Sequence, residues 1–230
     1  MNILAQPPAA MPQRFVMHGV SWQTYQKALE AFGDQPIRIT YDRGSLELMS
    51  PLPIHEVYKR CLGLLLAVLD RELKIPIKGL ASTTFRRRDL DRGLEPDECF
   101  YVGNLGRIHD WRNIDLSIDP PPDLALEVEV TRSCLNRLEI YAALGVPEVW
   151  RFDGEQWHIH CLAAIDTYEE RPHSNVLPFV DLAEVTPFLD QAAAGMSDGE
   201  LMDLLHQWAK DCVRPRWEAL SARQAAPRDN

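Results

Sequence analysis

Residues 122–131, with the sequence PDLALEVEVT, constrain the fold more than any other segment. Apolar and polar residues alternate there, as expected for a β-strand whose two faces meet different surroundings. Glu127 and Glu129 fall on the same face, roughly 7 Å apart along the strand. A strand this apolar, followed directly by a helical pattern, is typical of a sheet covered by helices. The segment therefore predicts two carboxylates on one face inside an α/β fold.

These two carboxylates need compensation if the strand is buried, because an isolated buried carboxylate costs several kcal/mol. A metal ion, a cationic side chain, a shared proton or open water could each supply it. The densest basic cluster, Arg86, Arg87 and Arg88, could pair with Glu127 and Glu129. The same three arginines could instead contact nucleic-acid phosphates or form a solvated strand end. The residues alone leave these alternatives open.

The segments before this strand predict a helix, a hairpin and a longer helix. Ser21 precedes an apolar stripe with helical spacing and can cap a helix over residues 22–32. Two alternating segments, residues 37–41 and 45–49, flank an Asp-Arg-Gly turn and predict a β-hairpin. Residues 54–73 then carry a long apolar face with helical spacing.

The segments after the strand predict another helix and another hairpin. Residues 136–144 have helical spacing, and Gly145 and Pro147 end that helix in the usual order. Strands are predicted over residues 148–152 and 156–162, with an Asp-Gly turn between them. Two C-terminal helices are predicted over residues 181–193 and 197–212.

This order of elements predicts an α/β fold in which helices flank a mixed β-sheet, with an N-terminal helix and hairpin and with C-terminal helices. The βαβ unit over residues 124–152 is expected to be parallel and right-handed. Residues 15–212 are expected to form a single domain. Residues 1–14 and 213–230 are expected to be a disordered N-terminus and a flexible C-terminal tail.

Composition narrows the class of protein. The net charge of −10 over 230 residues argues against a general binder of polyanions, although it permits a local basic patch. The five cysteines are odd in number and widely spaced, which is typical of a reduced cytosolic protein. The longest apolar run, residues 61–69, is too short to span a bilayer, and residues 1–14 lack the pattern of a secretory signal. We therefore expect a cytoplasmic protein that does not enter membranes.

Asp97 joins the two glutamates as a third candidate for chemistry. It follows a proline at the entry to a predicted strand, where a side chain can project into a cleft. Mg²⁺ prefers oxygen ligands and often takes one or two carboxylates plus water. Such an ion can activate a water molecule and stabilise a phosphoryl transition state. Arg137, early in the next helix, could stabilise the developing charge, and Glu56 could face the same cleft.

Several segments resemble the Uma family of restriction-endonuclease-like proteins, which belongs to the PD-(D/E)XK nuclease superfamily. The matching segments are, in chain order, residues 44–51, 55–56, 95–97, 122–128, 136–137 and 140–151. The most specific of them is the sequence GVPEVW over residues 145–150. The resemblance covers about residues 20–210. It implies a restriction-endonuclease-like core and Mg²⁺-dependent hydrolysis of phosphodiester bonds.

Carried over by position, the resemblance makes Asp97 and Glu127 the metal ligands, which would hold Mg²⁺ or Mn²⁺. The superfamily's lysine falls at Glu129, so this chain departs from the motif there. Relatives often carry that lysine in the following helix, where this chain has Arg137. Arginine stabilises charge but is always protonated and does not readily act as a base. Glu129 could instead be a third metal ligand.

Three further residues match positions that border the cleft in related folds. They are Glu47 in the hairpin and the pair His55 and Glu56 at the start of the long helix. Simpler interpretations are an exposed hairpin residue at Glu47 and, at Glu56, a carboxylate favoured by the helix N-terminus.

Two functions from different classes follow. The first is a Mg²⁺-dependent endonuclease that hydrolyses DNA, with Asp97, Glu127, Glu129 and Arg137 as catalytic residues. The resemblance also suggests a homodimer, since nucleases of this superfamily often pair to cut both strands, and RNA is a weaker alternative substrate. The second function is a nuclease-fold protein that binds or regulates without catalysis. The missing lysine and the acidic net charge favour this second hypothesis.

Overall fold

A computed structural model describes residues 13–33, 35–129, 133–164 and 166–225. Its first elements are β1 (Arg14–Met17), α1 (Trp22–Phe32), β2 (Arg38–Asp42), β3 (Ser45–Met49), α2 (Pro53–Leu73), β4 (Lys78–Gly79), β5 (Phe85–Arg87), β6 (Arg92–Leu94) and β7 (Glu98–Tyr101). The later ones are β8 (Leu124–Val128), α3 (Arg137–Leu144), β9 (Glu148–Phe152), β10 (Trp157–Ala164), β11 (Thr167–Arg171), α4 (Thr186–Ala193), α5 (Asp198–Trp208) and α6 (Arg214–Ala225).

Some expectations concern residues outside the described ranges. They are the disorder expected over residues 1–12, the end of the strand predicted over residues 122–131 (Val130 and Thr131), and the tail over residues 226–230.

The described strands form two sheets, of which the first is antiparallel with the order β1-β3-β2-β6-β5. The predicted hairpin forms its centre, because β2 and β3 pair from Arg38 opposite Met49 to Asp42 opposite Ser45. Helix α1 packs its aromatic residues against this sheet and begins as predicted, with Ser21 accepting a hydrogen bond from the Thr24 amide. Strands β1 and β6 were not predicted; each depends on pairing with the hairpin.

The second sheet has the order β11-β10-β9-β8-β7-β4 and is mixed. Strands β8 and β9 are parallel, as predicted for the βαβ unit, and the other pairs are antiparallel. The predicted α/β fold with a mixed sheet flanked by helices is therefore confirmed. Leu124, Leu126 and Val128 of β8 pack with α2 and the C-terminal helices, whereas Ala125 packs with α3 on the opposite face.

The ends of α3 and α5 have the local chemistry that the sequence predicts. Asn136 caps α3, and Gly145 ends it with a left-handed φ of 77°, where a side chain would be strained. Ser197 and Glu200 form the predicted capping box at the start of α5. The alternation of β8 and the two caps of α3, Asn136 and Gly145, therefore place β8 and α3 where they hold the candidate site.

The expectation of a flexible tail is wrong for residues 214–225, which form α6. A π-helical turn over Ala209–Val213 joins this helix to α5. Arg214 donates to the Glu72 carboxylate at 2.5 Å, and Arg216 donates to Glu184 at 2.6 Å. These distant ion pairs, together with packing against the core, hold a segment whose own sequence shows little amphipathic pattern.

Among the described helices, none has the length and apolar character needed to cross a bilayer.

Candidate active site

Asp97 is held at the point where two neighbouring strands meet. Strands β7 and β8 pair with Glu98 opposite Leu126, so Asp97 lies beside the end of β8. Its Oδ2 accepts a hydrogen bond of 2.7 Å from the Val128 amide, and its Oδ1 lies 3.5 Å from Nε of Arg38. Asp97 is only 6 % exposed, so the backbone and one arginine fix an acid that has little contact with water.

Glu127 receives its partners from the helix that follows its strand. Arg137 donates to Glu127 Oε1 from Nε at 3.1 Å and from Nη2 at 2.5 Å. Tyr141, one helical turn further on, donates its hydroxyl to the same oxygen. Burial raises the pKa of Glu127 to about 7, although the charge of Arg137 acts to lower it. Although burial acts to lower the pKa of Arg137, the charge of Glu127 raises it, so Arg137 keeps its proton at neutral pH.

Arg137 also ties α3 to the first sheet. Its Nη1 donates to Thr40 Oγ1 at 2.6 Å, and its Nη2 donates to the Glu95 carbonyl at 2.7 Å. Every nitrogen of this guanidinium therefore has a protein partner. In this structure Arg137 neutralises and orients Glu127, and each of its three nitrogens already donates at least one hydrogen bond.

One small cavity of about 20 Å³ collects most of the sequence-predicted site residues. Its acidic and imidazole lining consists of Glu47, His55, Asp97, Glu127 and Glu129. Arg14, Arg38 and Arg137 contribute to the same wall. The fold thus brings together side chains as far apart in the sequence as Arg14 and Arg137.

Glu47 is buried rather than exposed, so the simpler interpretation of a solvated hairpin residue is wrong. The physical reason is that β3 lies between β1 and β2 in the first sheet. Glu47 is 2 % exposed and accepts hydrogen bonds from Ser133 Oγ at 2.8 Å and from the Cys134 amide at 2.7 Å. It fastens the segment after β8 to the hairpin.

His55 and Glu56 are adjacent in sequence but have different environments. His55 is 3 % exposed, and among the described residues neither of its ring nitrogens has a hydrogen-bond partner. Burial lowers the pKa of His55, against the opposing charge of Asp97, so the imidazole is neutral at pH 7 and able to accept a proton. Glu56 is half exposed and does not line the cavity. It pairs with Arg38 and Lys59, each at 3.3 Å.

Glu129 does not take the place of the missing lysine, because it carries the opposite charge and has its own cation. Arg151 of β9 lies with Nη1 3.2 Å from Glu129 Oε2. The Ser133 amide donates to Glu129 Oε1 at 3.0 Å. A second cavity of 260 Å³ lies between α3 and the sheet and is lined by Glu127, Glu129, Arg137 and Arg151, among others.

The arginine cluster at residues 86–88 does not compensate the strand glutamates, so that alternative is wrong. Glu127 pairs with Arg137 and Glu129 with Arg151, as described above. Arg87 is engaged by the Asp89 carboxylate at 2.6 and 2.8 Å. Arg86 and Arg88 line a separate open groove of 680 Å³ with Trp22, Arg112 and other residues.

The residues of the site that were missed from the sequence include Arg14, Arg38, Tyr141 and Arg151. The signal for Tyr141 is its spacing of four residues from Arg137, which puts both side chains on one helix face. Arg151 has no comparable local signal, since it reaches Glu129 only through the parallel register that places it opposite Glu127.

The donor chemistry of the cavity fits a hard divalent cation with few protein ligands. The hydrogen bonds to Glu127 from Arg137 and Tyr141 all go to Oε1, and the short hydrogen bond of Asp97 goes to Oδ2. As far as the described residues reach, each acid therefore keeps one oxygen without a short hydrogen bond. Mg²⁺ commonly takes one or two carboxylates and completes its shell with water. Among the described residues, no three His, Cys, Asp or Glu side chains are grouped so that they could hold a metal ion together.

Comparison with family models identifies the family of this chain. The family model Uma2, described as "Putative restriction endonuclease", matches residues 22–197. A crystal structure of "a putative nuclease belonging to DUF820" from Anabaena variabilis ATCC 29413 is similar at 14 % identity, over 78 % of this chain and 97 % of that chain, with a TM-score of 0.44. Curated proteins contain no match. Since the family model spans the hairpin, both acidic strands and the helix after them, the chain belongs to the Uma2 family.

Proposed function

We propose that this protein is a metal-dependent endonuclease that hydrolyses phosphodiester bonds in DNA. The observation that carries the proposal is the cavity shared by Asp97 and Glu127. Asp97, directly before β7, is buried, and the side chain of Glu127 on β8 is 11 % exposed. Within the described residues, each keeps an oxygen free of short hydrogen bonds. Membership of a family described as restriction endonucleases supports the same reaction class.

Asp97 and Glu127 would hold Mg²⁺ or Mn²⁺. When bound, such an ion supplies a Lewis acid for a phosphoryl oxygen and lowers the pKa of its water. The Val128 amide and Arg38 orient Asp97, whereas Arg137 and Tyr141 orient Glu127. Pre-arranged acids lose little freedom when the substrate arrives, which is the contribution of a rigid site to catalysis.

A proton acceptor in the same cavity is His55. Its imidazole is neutral at pH 7, and neither nitrogen is engaged by the described residues. Arginine cannot readily take this role because it stays protonated. Arg137 therefore does not replace the motif lysine as a base. Glu129 is engaged by Arg151 and by the Ser133 amide, so we assign the proton to His55.

The test is cleavage of plasmid DNA in Mg²⁺ or Mn²⁺ by the wild-type protein, Glu127→Gln and a control, Glu170→Gln. Glu170 is an exposed acid of the same sheet, outside both cavities. We expect cleavage by the wild type and the control and its loss in Glu127→Gln. Equal cleavage by all three proteins would indicate contamination. Calorimetric titration with Mn²⁺ should show binding that disappears in Asp97→Ala.

A second candidate is a nuclease-fold protein that binds or regulates without catalysis. It is favoured by the engagement of Glu127 with Arg137 and Tyr141 and by the absence of a three-ligand group in the part of the chain described. Absence of cleavage with either metal, together with retained DNA binding, would support this candidate over the first.

The proposed partner is DNA, approached through local basic residues such as Arg86 and Arg88 despite the acidic total. We further propose action in the cytoplasm, since the five cysteines are free thiols. A homodimer would let the protein cut both strands; sedimentation with and without duplex DNA measures this directly.

A further inference from the structure

Among the described residues, the arginines that line the cavity of Asp97 and Glu127 already face acids: Arg14 faces Glu47, Arg38 faces Asp97 and Arg137 faces Glu127. The Nε, Nη1 and Nη2 atoms of Arg137 donate hydrogen bonds to Glu127, Thr40 and the Glu95 carbonyl, respectively. The position of the motif lysine holds Glu129, a carboxylate. A phosphodiester brings negative charge to a cavity that already contains acids, so a further positive group is needed near them.

Arg151 is placed to supply it. The parallel register sets Arg151 directly opposite Glu127 on the neighbouring strand. Its Nη1 lies 3.2 Å from Glu129, and its side chain is 31 % exposed. Arg151 therefore sits beside the position where the motif has its lysine, with a charge of the same sign and with access to solvent.

The Nε atom of this guanidinium is not used by the described residues. Within the described residues, Nε of Arg151 is buried and has no hydrogen-bond partner, while its ion pair with Glu129 uses Nη1. Nε and Nη2 form the edge that binds the two oxygens of a carboxylate or phosphate side by side. A buried unsatisfied donor costs free energy, and an incoming phosphate oxygen would recover it.

The cavity next to this edge can receive a phosphate group. Its volume of 260 Å³ exceeds by far the roughly 30 Å³ that a water molecule takes in the liquid. It shares Glu127, Glu129, Ser133 and Arg137 with the acid cavity, so the two spaces are adjacent. Two arginines balance the two glutamates of its wall, and the N-terminus of α3 adds a partial positive charge.

We propose that Arg151, oriented by Glu129, binds a backbone phosphate of the nucleic acid in this cavity and takes over the charge of the missing motif lysine. The inference rests on the proposed function, because it assumes that the acid cavity is the reaction centre. It goes further in assigning a phosphate subsite and a positioning role to a strand residue outside the motif.

The experiment measures binding apart from cleavage. Fluorescence anisotropy of a short labelled DNA duplex is recorded in Ca²⁺ over a series of salt concentrations, for the wild type, Arg151→Gln, Arg151→Lys and Arg171→Gln. Arg171 is the matched control, an ion-paired arginine of the same sheet that lies outside both cavities. We expect Arg151→Gln to weaken binding about tenfold and to reduce the salt slope by about 0.9.

Arg151→Lys should keep the salt slope and lose part of the affinity, because it retains the charge but not the paired donors. Adding Glu129→Lys to Arg151→Gln should restore the slope by placing a cation at the motif position. Arg171→Gln should bind like the wild type. Unchanged affinity and slope in Arg151→Gln would overturn the inference, and Arg151→Lys provides the same decision if the glutamine variant does not fold.

Cleavage measured in parallel separates this inference from the proposed function. Cleavage that is equal in the wild type and Arg151→Gln, with equal binding, rejects the role of Arg151 and leaves the nuclease in place. Arg151-dependent binding without any cleavage keeps the phosphate subsite and rejects the nuclease. Absence of both binding and cleavage in the wild type rejects both.

Discussion

Two glutamates on adjacent parallel strands, the largely buried Glu127 of β8 and the fully buried Glu148 of β9, have opposite kinds of surroundings. Glu148 is fully buried, and both of its oxygens accept hydrogen bonds from neutral donors. Those donors are Trp150 Nε1 at 2.5 Å, Ser174 Oγ at 2.5 Å, the amides of Asn175 and Val176 at 2.7 and 3.2 Å, and Cys161 Sγ at 3.4 Å. Glu127 instead meets a charged arginine and a second acid and faces two cavities.

The difference shows that burial of a carboxylate does not by itself mark a functional site. Glu148 has its hydrogen-bonding capacity filled, and it fastens residues 174–176 to the sheet. Glu127 keeps one oxygen outside its short hydrogen bonds, and burial raises its pKa to about 7. Unused capacity beside another acid and a cavity is what distinguishes a candidate catalytic group from a structural one.

The largest expected effect is on catalysis, through Glu127→Gln. The amide keeps an acceptor for Arg137 and Tyr141 but removes the charge that a divalent cation needs. We expect cleavage to fall about a thousandfold, or ~4 kcal/mol of transition-state stabilisation. Single-turnover cleavage of plasmid DNA measures it, with circular dichroism as the check on folding. A rate close to that of the wild type would remove the distinction drawn between Glu127 and Glu148.

The next effect is on stability, through Arg137→Gln. Removing the cation leaves Glu127 buried without its charge partner, which costs about 3 kcal/mol at pH 8. Since Arg137 acts to lower the pKa of Glu127, its loss raises that pKa further above the unfolded value. The folded state then binds more protons than the unfolded state, so stability falls as pH rises. Urea unfolding should therefore show a smaller loss at pH 6 than at pH 8.

Arg137→Lys is the matched control for this charge. It keeps the cation and should recover most of the stability that Arg137→Gln loses. If Arg137→Gln unfolds like the wild type at both pH values while cleavage is lost, Arg137 acts on the substrate and not on Glu127.

A smaller loss of stability is expected for Glu148→Gln. The amide presents an NH₂ group to donors that need an acceptor, and at least one buried donor loses its partner. This costs about 2 kcal/mol. Denaturant unfolding measures the loss, while cleavage per folded molecule should stay at the wild-type rate. A catalytic defect in folded Glu148→Gln would show that this carboxylate, like that of Glu127, contributes to cleavage.

The smallest effect concerns Glu98, next to Asp97. Burial raises the pKa of Glu98 to about 7, against the opposing charges of Lys59 and Arg38. Its folded pKa lies above the unfolded value, so Glu98 lowers stability as pH rises from about 4.5 to 7. Glu98→Gln has no proton to lose and should flatten this part of the profile. A thermal-unfolding series across that range measures it; an unchanged slope would contradict the assignment.

Local sequence signals predicted the elements that carry the site. Ser21 and Ser197 mark helix starts, Gly145 marks a helix end, and the alternation around Glu127 marks β8. Strands β1, β6 and β11 escaped prediction because each is short and gains its hydrogen bonds from a partner strand. The helix over Arg214–Ala225 was missed because distant contacts hold it.

The sequence by itself predicted Asp97 and Glu127 as candidate acids and the parallel βαβ unit that carries Glu127 and Arg137, and it has no lysine at position 129. It predicted them because alternation, caps and motif spacing depend on neighbouring residues only. The tertiary structure decided which charged side chains pair with each other. It buried Glu47, paired Arg137 with Glu127 and paired Arg151 with Glu129. The energy of an ion pair depends on the distance between the two charges in space, and the order of residues along the chain does not give that distance directly.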